Sequence, residues 1–484
     1  MAGEETVAAP DAGIRPLRWP LAATLLRHES TCVLVLTIVA AALRCFRLDA
    51  RSLNLDEGFS FFLARANSDA FWSVIGRGEL NMALYYFLLR SWSHIAGGEF
   101  GLRLLSALFG TLSVPVSYLL GRRIFGRESG MIAAMLLALH PFAIRLAQTA
   151  RSYSLVVLLV MLSGWFLVEL AEEPSRQRAT GYALTSAAAV YSHFFAVLVL
   201  AAHALAWPLV PRRLPRRLFA LSFGLLAVLL LPLLAYLLRA PSHNLEWVAP
   251  LSTAQLESVL YSLTLSKARS LIYVAAWGFG LYAISRERTR DRRWRNLLVV
   301  LWLVLPIAFA AAVSVVRPML VERYLAVCLP ASMLLAARGV AALASWTRAA
   351  AIALLLLMVF NSASAIGFYY RHPEYDENWR AAILHVLDNV QPGDEIVIDP
   401  YSRFTFDFYS GQRGFRSSAL NFSGDLTSAV AHDPAPSQIW LVARKNSQSQ
   451  VDEFLRRQHR YCQPVEPFLT YDLRAWRFIP CESK

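Results

Sequence analysis

Residues 31–58 read T-C-V-L-V-L-T-I-V-A-A-A-L-R-C-F-R-L-D-A-R-S-L-N-L-D-E-G. The first long apolar run occupies residues 32–49, and Asp56 and Glu57 stand side by side just beyond its end. Two carboxylates at the mouth of a bilayer-embedded chain are costly to place and hard to explain as packing. Their meaning depends on which side of the membrane they face and which polar groups face them there.

The run at 32–49 is the first of many. The chain has 484 residues, 56% of them hydrophobic and 17% charged, where soluble proteins carry about a quarter charged. Apolar stretches of about 20 residues recur as far as residue 367, the pattern of a polytopic α-helical membrane protein and not of a globular core. The net charge of +13 is almost all arginine, and the arginines cluster in short connections between apolar runs. That is the distribution of the positive-inside rule, and it speaks against nucleic acid as a partner. Arg15, Arg18 and Arg27 precede the first run with no small-residue cleavage site, so residues 1–31 read as a retained cytoplasmic leader. Cys32, Cys45 and Cys328 lie in or beside spans and read as small core residues. Cys462 and Cys481 lie in the polar tail without metal-ligand spacing, and are able to pair if the tail is outside.

Arginine-rich connections fall at Arg122, Arg123 and Arg127, at Arg176 and Arg178, at Arg212, Arg213, Arg216 and Arg217, over residues 286–295, and at Arg338 and Arg348. If all are cytoplasmic, each interval between them holds an even number of crossings. The interval 131–171 divides around Gln148 and Tyr153, and 179–210 divides near Tyr191, Ser192 and His193 into halves short enough to thin the bilayer locally. Further spans are expected at 218–238, 270–285, 297–316, 325–338 and 349–367. With 32–49 and 101–121 the total is about eleven, the amino end inside and the carboxyl end outside. Residues 82–96 (M-A-L-Y-Y-F-L-L-R-S-W-S-H-I-A) are short, rich in Tyr, Trp and His, and as a crossing would put Arg122 and Arg123 outside. They are expected to form an interfacial or re-entrant helix, like the amphipathic stretch 59–77, so that the first outer loop (about 50–100) presses against the membrane surface.

Residues 368–484 form a separate, more polar region. E-I-V-I-D (395–399) and I-W-L-V-A (439–443) read as buried strands, and 376–389 and 447–458 as amphipathic helices, which together suggest a small α/β layer. It contains no motif tied to chemistry.

This topology places the polar residues that break the apolar runs most sharply on one face, the outer one: Asp56, Glu57, Glu79, Asn81, Tyr85, Tyr86, Arg151, Tyr153, His193, Arg317, Glu322, Arg323 and Tyr324. Arginines 151, 317 and 323 defy the positive-inside rule there and need anionic partners, either protein carboxylate or substrate phosphate. Each residue also has a plainer reading. Asp56 suits the cap of a following helix and Glu57 its first turn; Arg323 suits a structural ion pair with Glu322 or Asp56; His193 suits a tight turn. Tyr85 and Tyr86, like Trp72, Trp92 and Trp247, suit an aromatic belt. Independent capping and pairing, however, do not require all of them on one side.

The ordered set L-D-E-G-F-S, N-x-x-L-Y-Y-x-L-L-R-x-W, the stretch from Gly101 to Gly110, Q-T-A-R-S-Y-S-L, Y-S-H-F-F and E-R-Y-L resembles the polytopic glycosyltransferases of the protein O-mannosyltransferase and aminoarabinose-transferase superfamily, over about residues 40–340. The resemblance implies a GT-C fold. It also implies an essential acidic residue in the first outer loop, here Asp56 with Glu57 beside it, and a Q-x-A-R-x-Y block at Gln148, Arg151 and Tyr153. Where many relatives have two prolines before the paired aromatics, this chain has Met82 and Ala83.

The activity implied is transfer of a sugar from a polyprenyl phosphate (undecaprenyl in bacteria, dolichyl elsewhere) to a hydroxyl acceptor at the extracytoplasmic face of a bacterial inner membrane, with inversion. Asp56 would serve as general base, and Arg151 or Arg323 would hold the departing phosphate. Glu57, Asn81, Tyr85, Tyr86, Tyr153, His193, Glu322 and Tyr324 would bind substrate. No cofactor is called for; a divalent metal is compatible with such chemistry, but no His/Asp cluster has ligand spacing. The acceptor, whether protein, lipid or glycan, is not named by the residues. A transporter or flippase of a lipid-linked glycan is the alternative, although no internal repeat is visible and the charges sit at turns.

Overall fold

The structure, a computed structural model, describes residues 28–211, 214–239, 248–266, 269–373, 377–415, 420–426, 429, 436–444, 451–453, 456, 461, 465–470 and 472–481. Most of the leader, Arg212, Arg213, Trp247, Cys462 and most of the helix expected at 447–458 lie outside the described residues.

Among the described residues, six helices are long and apolar enough to cross a membrane: Gly98–Phe125, Tyr153–Glu172, Arg216–Leu237, Arg290–Ser314, Glu322–Trp346 and Arg348–Arg371. A seventh arises if Arg127–Ala138 and Pro141–Ala147, bent by 59°, act as one span. The bend has a local cause. Pro141 has no amide hydrogen and disfavours helical geometry in the residue before it, and His140 is extended, with φ −78° and ψ 119°. The other expected segments fall on shorter helices, Glu29–Cys45, Arg176–Ser192, Ala196–Ala206 and Ser270–Ser285. Leu34, Val35, Ile38, Leu356 and Phe360 point outward and exposed, as side chains facing lipid do. The chain is a multi-pass membrane protein.

Small residues let the helices approach closely. A Cβ on Gly339 would lie 1.8 Å from the Ala276 carbonyl oxygen, and one on Gly280 would lie 2.5 Å from that of Leu335, so Ser270–Ser285 and Leu329–Trp346 touch backbone to backbone. Gly121 and Gly130 do the same for Gly98–Phe125 and Arg127–Ala138. Ion pairs tie the arginine-rich connections together at one end of the bundle. Arg123 meets Glu169 and Glu172, Arg295 meets Glu172, and Arg178 meets Glu169.

The first outer loop is helical, with α-helices Leu55–Arg65, Ser68–Val74 and Ala83–Trp92 joined by a π turn, Ile75–Glu79, and a 3-10 turn, Leu80–Met82. The last of these helices packs one face under protein. Tyr85, Tyr86 and Leu89 are wholly buried under protein, so the two tyrosines are not belt residues. Trp72 is exposed, whereas the Trp92 indole donates to the Gly101 carbonyl.

Beyond Arg371 the chain builds a five-stranded sheet in the order β2-β1-β3-β5-β4: β1 (Glu395–Val397), β2 (Asn421–Ser423), β3 (Ile439–Arg444), β4 (Val465–Leu469) and β5 (Leu473–Phe478). β1 runs parallel to β2 and β3, and β5 is antiparallel to β3 and β4. Both expected strands are present. Their side chains alternate with the two-residue period of a strand. Ile396, Trp440, Val442, Leu473 and Ala475 join the large core that continues into the helical bundle, while Val397, Ile439, Leu441, Trp476 and Phe478 form a separate outer core. The helices Trp379–Asn389 and Arg403–Gln412 contribute Trp379, Ile383, Phe406 and Tyr409 to the first of these cores. Cys481 is disulfide-bonded; Cys45 and Cys328 are free thiols.

Candidate active site

The site is built on the first turn of helix Leu55–Arg65. Asn54 is the N-cap: its Oδ1 accepts from the Glu57 amide at 2.9 Å, and Glu57 Oε2 accepts from the Asn54 amide at 3.1 Å. This capping box satisfies two amides that the helix leaves open. The cap is therefore Asn54, and the Asp56 carboxylate is left to face outward.

Asp56 and Glu57 have opposite fates. Glu57 is buried and accepts from Arg103 Nε and NH2, both at 2.7 Å, and from the Ala150 amide at 2.9 Å as well as from Asn54. Arg103 uses its other donors on the carbonyls of Leu48, Arg51 and Ser52. A bidentate buried pair of this kind fixes the loop leading to Asp56. Glu57, expected to bind substrate hydroxyls, holds the loop in place with both of its oxygens engaged within the protein. Arg103 was missed from the sequence, although a charge in an apolar helix is itself a signal.

Asp56 keeps one oxygen for Tyr401, whose hydroxyl donates to Oδ1 at 3.0 Å, and turns Oδ2 toward Arg323 NH2 at 3.6 Å. Burial would raise its pKa, but the guanidinium groups of Arg151 and Arg323 and the Tyr401 hydrogen bond outweigh burial and hold the carboxyl below its usual range. Burial and the nearby Asp56 charge raise the Tyr401 phenol, which keeps it a donor.

Arg151 stands behind that turn. Its NH1 donates to Tyr86 Oη at 2.8 Å and reaches the Asp56 carbonyl at 3.5 Å, while Tyr86 donates to Glu79 at 3.2 Å. Tyr85 bonds Ser106 at 2.9 Å, and Ser106 donates to the Arg151 carbonyl at 3.1 Å. Tyr85 and Tyr86, expected to bind substrate, thus fix Arg151. Asn81 likewise accepts from the Phe194 amide at 2.7 Å and holds the turn after helix Arg176–Ser192. Gln148 donates to the carbonyls of Arg44 and Phe46.

His193, in that same turn, accepts at Nδ1 from the Phe195 amide at 3.3 Å, and its buried Nε2 has no hydrogen-bond partner. Burial, with Arg151 and Arg323 near, lowers its pKa to about 3, so the ring is neutral. It packs against Tyr153 and Tyr324, with ring centroids 6.0 and 5.0 Å away.

Of the expected residues, Asp56, Glu57, Tyr153, Glu322 and Arg323 line a cleft of about 270 Å³, together with Asn54, Arg145 and, from the chain beyond the bundle, Glu377; Asn81, Tyr85, Tyr86, Arg151, His193 and Tyr324 are not among its lining. A second cleft of about 630 Å³, with His140, Arg269 and Arg371, adjoins it. Both are lined by Arg145, Glu322 and Tyr369, and the ion pair of Glu322 with Arg145 stands between them; Ser258 donates to the other Glu322 oxygen. Among the described residues, no three of His, Cys, Asp and Glu gather as a metal site.

Helix Gly98–Phe125 measures the distance to the charged network. It carries Arg103 near its start and Arg122 and Arg123 in its last turn, about 30 Å further at 1.5 Å per residue. Asp56 and the arginine-rich connections lie at opposite ends of the bundle.

Residues 83–237 match the dolichyl-phosphate-mannose-protein mannosyltransferase family. No curated protein matches the sequence. Among solved structures, ArnT from Cupriavidus metallidurans bound to undecaprenyl phosphate is similar at TM-score 0.58 and 14% identity, over 94% of this chain and 98% of that one. The archaeal oligosaccharyltransferase AglB from Archaeoglobus fulgidus, with an inhibitory peptide and a dolichol-phosphate, gives TM-score 0.50 and 11% identity over 79% of this chain and 63% of that one. The arabinofuranosyltransferase AftD from Mycobacteria gives 0.50 and 13% over 94% and 41%. The superfamily resemblance carried by the motifs holds, and the fold is that of the GT-C glycosyltransferases.

Proposed function

We propose that this GT-C chain is an integral-membrane glycosyltransferase that moves a sugar from a polyprenyl-phosphate donor to a hydroxyl acceptor at the extracytoplasmic face, with inversion, Asp56 being the general base. The end of the bundle bearing the arginine network is assigned to the cytosol by the positive-inside rule, which puts Asp56 outside. One observation carries the reading: the Asp56 carboxylate lines a cleft, with a guanidinium 3.6 Å from one of its oxygens. The relatives by fold include proteins bound to undecaprenyl phosphate and to dolichol-phosphate, which supports a lipid-phosphate carrier.

In the proposed step the acceptor oxygen bonds to the anomeric carbon from the face opposite the phosphate, and its proton passes to Asp56 Oδ2. The bond from that carbon to the phosphate oxygen breaks, and the electron pair leaves with the phosphate. Arg323 and Arg145, which line the cleft, stabilise the charge that develops. Arg151 acts from beneath, holding Asp56 ionised. Two clefts meeting at one ion pair suit a reaction of two substrates.

The test is transfer of radiolabelled sugar from a polyprenyl phosphate to envelope extract by purified protein. Asp56→Asn is expected to lower transfer by about 10²–10⁴-fold with insertion unchanged. Near-normal transfer by that variant would remove the assignment.

A further inference from the structure

The sheet-bearing region offered no chemical motif, yet it touches the reacting end of the molecule. Tyr401 precedes helix Arg403–Gln412, and its hydroxyl is the hydrogen-bond donor to Asp56 Oδ1. The ring is held firmly. It stacks on Phe59 at 5.7 Å and meets Phe404 edge-on at 6.2 Å, while Phe404 packs on Phe59 and Phe62. Asp399 Oδ1 accepts from the Tyr401 and Ser402 amides, both at 3.0 Å, and orders the turn.

The same region grips the loop that delivers Asp56. Tyr409 Oη accepts from the Leu53 amide at 2.8 Å, Arg380 donates from its amide to Ser52 Oγ at 2.9 Å, and its guanidinium pairs with Glu99. Gly58 explains why the approach is possible. A Cβ there would lie 2.2 Å from Thr405 Oγ1 and 2.7 Å from the Thr405 amide nitrogen, so the glycine of L-D-E-G is the landing point of the second helix.

We infer that Tyr401 is a positioning residue of the active site, contributed by the α/β region, which fixes the plane of the Asp56 carboxylate so that Oδ2 is the proton-accepting atom. This deepens the proposed transferase and rests on it. A carboxylate on an outward first turn is free to rotate about its terminal torsion. A hydroxyl clamped to Oδ1 removes that freedom and presents Oδ2 toward Arg323 and the cleft. Since the phenol is a donor and the carboxylate an acceptor only, the bond exists while Asp56 is ionised and weakens when it takes a proton. The other groups bearing on Asp56 are Arg151 from the turn before helix Tyr153–Glu172, Arg323 from the 3-10 turn Glu322–Cys328, Arg444 at the end of β3, and the phenols of Tyr86, Tyr153 and Tyr324.

The test compares full-length wild type, Asp56→Asn, Tyr401→Phe and Tyr401→Ala in the transfer assay across pH. Tyr401→Phe keeps the ring stack and loses only the donor. It is expected to lower kcat about tenfold with the donor KM unchanged, and to move the acid limb of the profile up by about one pH unit. Tyr401→Ala should show the same acid-limb shift at equal or lower rate. If Asp56→Asn is inactive while Tyr401→Phe keeps both the wild-type rate and the wild-type limb, the inference is overturned and the transferase reading stands. A faster Tyr401→Phe enzyme would also overturn it, by showing the phenol to be an obstacle. An active Asp56→Asn enzyme would instead bring down the transferase reading itself.

Discussion

Neighbouring residues with the same charge divide the labour here. Glu57 is buried in a bidentate pair with Arg103, and Asp56, next to it, is partly open and poised over a cleft. Breaking the buried pair from one side leaves an unpaired charge, which costs about 3–5 kcal/mol. Glu57→Gln and Arg103→Ala are therefore expected to lower the unfolding temperature markedly in a detergent thermal-shift assay, more than Asp56→Asn does. Asp56 also sets a pH prediction. Because its folded pKa lies below the ordinary carboxyl value, the stability its ionisation contributes is present above that value and lost as pH falls through the folded one. The acid limb of activity should accordingly lie below about pH 4. Arg323→Gln, by removing a neighbouring cation, should move it upward, and an unmoved limb in a pH–rate profile would separate Arg323 from Asp56.

At the scale of elements, close approach decides where things stand. Helix Leu55–Arg65 accepts helix Arg403–Gln412 only because residue 58 has no side chain. Gly58→Ala should cost about 1–3 kcal/mol through overpacking and loosen the Tyr401 bond, seen as lower kcat together with a lower melting temperature. Gly339→Ala meets the Ala276 carbonyl in the membrane core instead. It should lower stability while leaving the acid limb of the surviving enzyme in place. Both interruptions, near residues 148–153 and at His193, were readable from apolar length and arginine placement, and the helices do stop at Ala147 and Ser192; of the eleven crossings expected, six described helices, or seven with the bent pair, are long and apolar enough to span. The first loop was readable as helical, but not as buried, because a tyrosine pair looks the same from sequence whether it faces lipid headgroups or a partner helix.

Across the whole molecule, charge is sorted by end. Glu169 and Glu172 knit the arginine-rich connections together, while Asp56, Arg323, His193 and Tyr324 gather at the other pole. Single cysteines in place of Asp69 and Thr149 should react from outside the cell with a membrane-impermeant maleimide, and one in place of Arg292 only after permeabilisation. Labelling of 149 and 292 from the same compartment would contradict the sidedness on which the proposed reaction depends.

The sequence by itself determined that this is a multi-span helical chain, where its turns fall, and that acids and arginines occupy those turns, since hydrophobic length and charge placement are local properties that a linear chain displays. Which acid is buried and which is presented, that Tyr86 braces the Arg151 side chain and Asn81 the turn at Phe194, and that the hydroxyl of a tyrosine 345 positions away donates to Asp56 were decided only by tertiary structure. The reason is physical: a hydrogen bond depends on distance and angle in space, and no periodicity along the chain records that residue 401 comes to lie against residue 56.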